Sequence, residues 1–136
     1  MTGAERLDAA RRLLDRPDAS TAGLWPRAAA LLARQALECL LDDFWRAVAP
    51  RVCDTNARAR LLCLRGYDSV RDAAPRVSVA WAGLSRGCHH HPYELPPTRD
   101  ELEGWMRVVE QFGDTVVQAV AEEVRRPPPA PGGARK

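Results

Sequence analysis

The sequence predicts an all-α fold, an antiparallel bundle of four to five helices, and three observations carry that prediction. Apolar residues recur at three- and four-residue spacing along most of the chain, as one buried face of a helix requires. No stretch alternates apolar and polar residues with the period of two that a half-buried strand shows. Proline, glycine and Thr-x-x-Glu signals fall at the ends of the periodic stretches, where helices start and stop. A length of 136 residues fits one domain. Residues 1–126 read as that domain, and residues 127–136 read as a disordered Pro/Gly-rich tail with no apolar payload.

The first helix opens at Thr2-x-x-Glu5, a capping-box spacing in which each side chain satisfies an orphan N–H of the first turn. Leu7, Ala10 and Leu14 share a face, and Pro17 stops the helix before a polar linker, Asp18–Gly23. The second helix runs from Pro26, well suited to a first turn, to Ala49. Its apolar residues, among them Leu37, Leu41, Phe44 and Trp45, surround most of the circumference. The exception is a polar stripe through Arg34, Glu38 and Asp42, so this helix is expected at the centre. A shorter helix is expected over Asn56–Arg65, capped by Asp54 or Thr55 and ended by Gly66. The fourth starts near Pro75 with Val77, Trp81, Leu84 and Cys88 inward. The stiff stretch His91–Pro97 precedes a second capping box, Thr98-x-x-Glu101. That box opens a last helix to Arg126, with Leu102, Trp105, Met106, Val109, Phe112, Val116, Val120 and Val124 inward.

Composition bounds the function. The chain is 46% hydrophobic and 28% charged, which excludes disorder and a membrane-embedded class. With no apolar run near the roughly 20 residues of a bilayer span and no signal peptide, a soluble, cytoplasmic protein is expected. Nineteen of the twenty basic residues are Arg and Ile is absent, a pattern that coding bias alone produces, so the Arg count does not by itself point to nucleic acid. The net charge of +2 is unevenly spread: residues 51–99 carry +4 and residues 100–126 carry −4. A basic middle suits an anionic ligand. The four cysteines, Cys39, Cys53, Cys63 and Cys88, form no CxxC, and Cys39 and Cys63 read as buried free thiols. No Ser-His-Asp order, P-loop, GxGxxG or HExxH occurs.

The chemistry-capable residues converge on Ser85-Arg86-Gly87-Cys88-His89-His90-His91-Pro92-Tyr93-Glu94, which holds all three histidines. Three readings are open. One is a solvated helix end, where cationic His meets the C-terminal dipole favourably. Another is a metal site on Cys88 and His, although a zinc tetrahedron needs about four ligands and adjacent residues rarely converge on one ion. The third pairs Arg86, whose guanidinium fork binds phosphate bidentately, with a histidine that gives or takes a proton near neutral pH. In an unbroken helix, Arg86 and His90 are i,i+4 neighbours, whereas His91 lies about 140° away. His91 meets Arg86 only if the helix bends or ends here, which Pro92 favours.

Arg86-x4-His91 resembles the R-x4–6-H motif of the HEPN superfamily (higher eukaryotes and prokaryotes nucleotide-binding). The stretch AAALLARQALECLLDDFW, residues 28–45, resembles the long amphipathic helix of those domains, and the likeness extends over roughly residues 22–124. The resemblance implies a small helical bundle and a homodimer whose two motifs meet at a cleft. It also implies a metal-independent endoribonuclease with no cofactor, acting on RNA as a toxin or stress factor with an antitoxin or other protein partner. Some members are instead non-catalytic binding modules for nucleotide or protein. By that resemblance Arg86 holds the scissile phosphate and His91 serves as acid and base, with His90 as the alternative. Gly87 departs from the polar residue often found after the arginine in active members. Arg34 and Glu38 read either as a helix-stabilising pair worth a few tenths of a kcal/mol or as a substrate-binding stripe that orients the histidine. Tyr93 reads as a stacking or hydrogen-bonding group, or as part of a lid.

Overall fold

The computed structural model describes residues 1–15, 25–89, 92–129 and 131. Among them there are five α-helices and no strand: α1 (Gly3–Asp15), α2 (Trp25–Val48), α3 (Ala57–Cys63), α4 (Ala74–Cys88) and α5 (Arg99–Arg125). Short 3-10 turns at Pro50–Asp54, Leu64–Gly66 and Arg71–Ala73 carry the chain from α2 to α4. The all-helical class and the bundle are as the periodicity predicts.

Both capping boxes form. The Thr2 amide donates to Glu5 Oε2 at 2.7 Å and the Glu5 amide to Thr2 Oγ1 at 3.1 Å. The Thr98 amide donates to Glu101 Oε1 and the Glu101 amide to Thr98 Oγ1, each at 3.1 Å. At α3 the expected cap is corrected: Asn56 Oδ1 accepts the Ala59 amide at 2.9 Å. Asp54 is taken up by the 3-10 turn that Pro50 opens, and Thr55 turns its hydroxyl back to the Val52 carbonyl at 2.6 Å. Pro17 and the linker Asp18–Gly23 lie outside the described residues. Of the tail, Pro127–Pro129 and Pro131 are exposed and non-helical, and the rest lies outside them.

Consecutive long helices are antiparallel, so α2 and α5 run the same way. Leu40 of α2 meets Gly113 of α5, and further along Ala47 and Val120 line one hollow. These two helices touch along the short diagonal of the bundle, with α1 on one flank and α4 on the other. The expected central role of α2 holds, since it packs against α1, α4 and α5. Its buried residues Ala29, Ala33, Leu37, Leu41, Phe44 and Trp45 form the spine of the core. Phe44, Trp45 and Tyr67 close the end where α2 finishes, their rings edge-to-face at centroid separations of 4.8–6.0 Å, a favoured aromatic geometry.

Three burial expectations are corrected. Val124 is 78% exposed, as Val117 is 70% exposed one heptad earlier on the same side of α5, because α1 is too short to cover this stretch. Cys63 is exposed and Cys39 half-buried, all four thiols being free. On α4 the buried line is Ala74, Val77, Ala80, Leu84 and Gly87. Trp81 and Cys88 sit half-buried on its flank.

Candidate functional site

The last turn of α4 carries Arg86, and the helix closes two residues later. His89 is its C-cap, with extended backbone at φ −94° and ψ 139°. The His89 amide still reaches the Arg86 carbonyl at 3.3 Å, while the His89 carbonyl accepts a hydrogen bond from the Arg27 guanidinium on the first turn of α2. An arginine on a terminal carbonyl satisfies an otherwise orphan acceptor and complements the negative end of the helix dipole. Prolines 92, 96 and 97 restrict the connection that follows, and Thr98 starts α5.

These pieces enclose an open cleft of about 260 Å³. Its charged lining is Arg27, Arg86, Glu94 and Glu101, with His89 beside them and the Trp105 indole as a wall. Two glycines let the walls close. A Cβ on Gly83 would sit 2.4 Å from ring atoms of Trp105, and one on Gly87 would sit 3.1 Å from Pro97 Cγ and 3.3 Å from Ala30 Cβ. Gly87, which departs from the motif of the resembled family, is therefore a packing residue where α2, α4 and the loop converge.

Most of these charges already have structural work. Arg27 ties α2 to the end of α4, and Glu101 completes the α5 capping box. Arg86 is exposed, and no hydrogen bond or ion pair engages its guanidinium among the described residues; the same is true of the Glu94 carboxylate. Among the described residues the cleft thus offers one uncommitted five-donor fork and one uncommitted carboxylate in the same lining.

The other expected site residues divide. His90 and His91 lie outside the described residues. Tyr93 is fully exposed and does not line the cleft. Arg34 and Glu38 form the expected i,i+4 pair, Nε to Oε1 at 3.4 Å, an ion contact too long and bent for a hydrogen bond. Neither residue lines the Arg86 cleft. Among the described residues no three His, Cys, Asp or Glu side chains are grouped as a metal ion needs, and no helix is long and apolar enough to cross a membrane. Sequence reasoning missed Arg27, His89 and Trp105 as cleft residues. Only the pair of small residues Gly83-x3-Gly87 hints at a close approach, and it does not say what approaches. No family model, curated protein or solved structure matches this chain.

Proposed function

We propose that the chain is a HEPN-like helical domain that cleaves RNA without a metal, Arg86 holding the scissile phosphate and His91 moving protons, with His90 as the alternative. The observation that carries this reading is the uncommitted, exposed Arg86 on the final turn of a helix that ends at Cys88. A helix that stops before His91 removes the roughly 140° separation that an unbroken helix imposes on the pair. In this chemistry an imidazole takes the proton of the ribose 2′-hydroxyl, whose oxygen attacks phosphorus. The 5′-oxygen leaves with a proton from an imidazolium, giving a 2′,3′-cyclic phosphate and a 5′-hydroxyl end. The Arg86 fork stabilises the charge that builds on the phosphoryl oxygens. The proposed active unit is a cytoplasmic homodimer that pairs two such clefts, restrained by an antitoxin or other protein partner.

A second reading, a non-catalytic interaction module, is favoured by Glu94 and Glu101, two carboxylates in the same cleft that oppose an incoming phosphate. Incubating the purified protein with mixed RNA in EDTA separates the two. Cyclic-phosphate ends that persist in chelator and vanish in Arg86→Ala and His91→Ala are the expected result. An inert wild type, with variants of unchanged fold, leaves the module reading standing.

A further inference from the structure

The two flanks of the α2–α5 pair are filled unequally. On one flank α4 covers the half nearest the start of α2, and Leu61, Leu64, Tyr67 and Val70 pack into the core from the α3 segment that follows α2. Among the described residues the other flank carries α1 alone. Its 13 residues make about 20 Å of helix, against about 40 Å for the 27 residues of α5. Its first residue, Gly3, stands at the middle of α2, where an added Cβ would lie 3.2 Å from the Ala36 carbonyl oxygen and 3.7 Å from Leu40 Cγ.

Beyond Gly3 the flank is open. A hollow of about 610 Å³ lies there, floored by Leu40, Ala47, Val116, Val117, Val120 and Ala121, with Asp43 and Arg46 beside them. A second hollow of about 310 Å³ runs between α1 and α5 and shares Leu40 and Val117 with the first, so the two make one apolar trough. Val117 on its floor is 70% exposed, and Val124, two turns beyond it on the same side of α5, is 78% exposed.

We propose that this trough docks an amphipathic helix of a partner protein, about three turns long, apolar on its inner face and bearing Arg or Lys on its flank. The inference stands independently of the RNA-cleaving reading. The length follows from the stretch of α5 that lines the trough, Val109 to Ala121, about 18 Å of helix rise. The chemistry follows from α1, which already lies along the same flank. It turns Leu7, Ala10 and Leu14 inward and pairs Arg11 with Glu110 of α5. Both arginines lining the trough are engaged, Arg11 with Glu110 and Arg46 with Asp43 at 3.8 Å. Asp8 and Asp114 also line it, and among the described residues no ion pair engages either. The uncommitted charge is acidic, which selects a basic flank. A second copy of this chain fits less well. A twofold contact places the patch on itself, setting those carboxylates against each other with no free base between them.

The test uses the full chain and two synthetic hydrocarbon-stapled helices of three turns. Both carry Leu at i, i+3 and i+7; one has Arg on the flank and the other Glu. The Arg peptide is expected to shift the backbone amide resonances of residues 40–47 and 109–121, with the Glu peptide about ten-fold weaker. Val117→Asp and Ala121→Arg, both at exposed positions, are each expected to weaken the Arg peptide about ten-fold with helical content unchanged. Failure of the Arg peptide to bind, equal affinity for the two peptides, or shifts elsewhere overturns the proposal. So does a concentration-dependent dimer in light scattering that Val117→Asp abolishes, because it assigns the trough to a second copy.

Discussion

At Gly83 a single hydrogen atom stands between α4 and the Trp105 indole. A methyl group there would lie 2.4 Å from two ring carbons, so the ring must leave its place. Gly→Ala in a helix interior gains about 1 kcal/mol of propensity, and overpacking costs about 1–3 kcal/mol. Gly83→Ala is therefore expected to lower unfolding stability by about 1 kcal/mol net and to red-shift Trp105 fluorescence. Gly104→Ala, where an added Cβ meets nothing within 4 Å, is expected to raise stability by about 1 kcal/mol. Denaturant midpoints of the two variants check both signs, and equal shifts would show that the indole moves aside freely. The sequence shows Gly83 and Gly87 one turn apart, yet which partners fill the space depends on long-range register. At this scale a thiol's burial is also hard to read: Cys63 is exposed although its apolar character suggests the core.

Helix boundaries were the most legible feature of the elements, because their signals are local. Thr2, Thr98 and the Pro26 first turn act through neighbours within four residues, and each sits where its side-chain chemistry demands. The last turns of α5 are hard to read for the converse reason: Val124 continues the apolar spacing, but whether it finds a partner depends on how far α1 extends along α5. The α1 box also titrates. The Thr2 backbone N–H bound to its carboxylate holds Glu5 below the 4.5 of an unperturbed glutamate. A carboxyl depressed in the folded state contributes stability above its unfolded value, and that contribution is lost as pH falls through the folded value. The first turn of α1 is therefore expected to loosen below about pH 4.5, read as faster amide exchange at Glu5 and Arg6. Glu5→Gln, which keeps an acceptor at the box position, is expected to remove that pH dependence. An identical acid response in the variant would place the titration elsewhere.

For the whole molecule, the fold class follows from periodicity alone, whereas the cleft needed the third dimension. Arg27 reads in the sequence as an ordinary first-turn residue. It becomes a cleft residue because α2 and α4 pack antiparallel and bring the start of one to the end of the other. The same geometry separates Arg34 and Glu38 from Arg86, although all three read as polar residues flanking one apolar core. If the proposed RNA-cleaving function holds, the charge distribution limits how RNA binds. The net charge is only +2, Arg27 is spent on a backbone carbonyl, and Glu94 and Glu101 face the same cleft as Arg86. One or two phosphates are all that such a cleft can neutralise. For single-stranded RNA this predicts a shallow decline of log affinity with log salt, a slope of about −0.7 to −1.4. Arg86→Ala is expected to flatten that slope by about 0.7 while changing unfolding stability by less than about 0.5 kcal/mol, as an exposed, unpaired side chain should. Titration of a fluorescent oligoribonucleotide at several salt concentrations reads the slope directly. A slope several-fold steeper, or one indifferent to Arg86, would place the proposed RNA contact elsewhere than the end of α4.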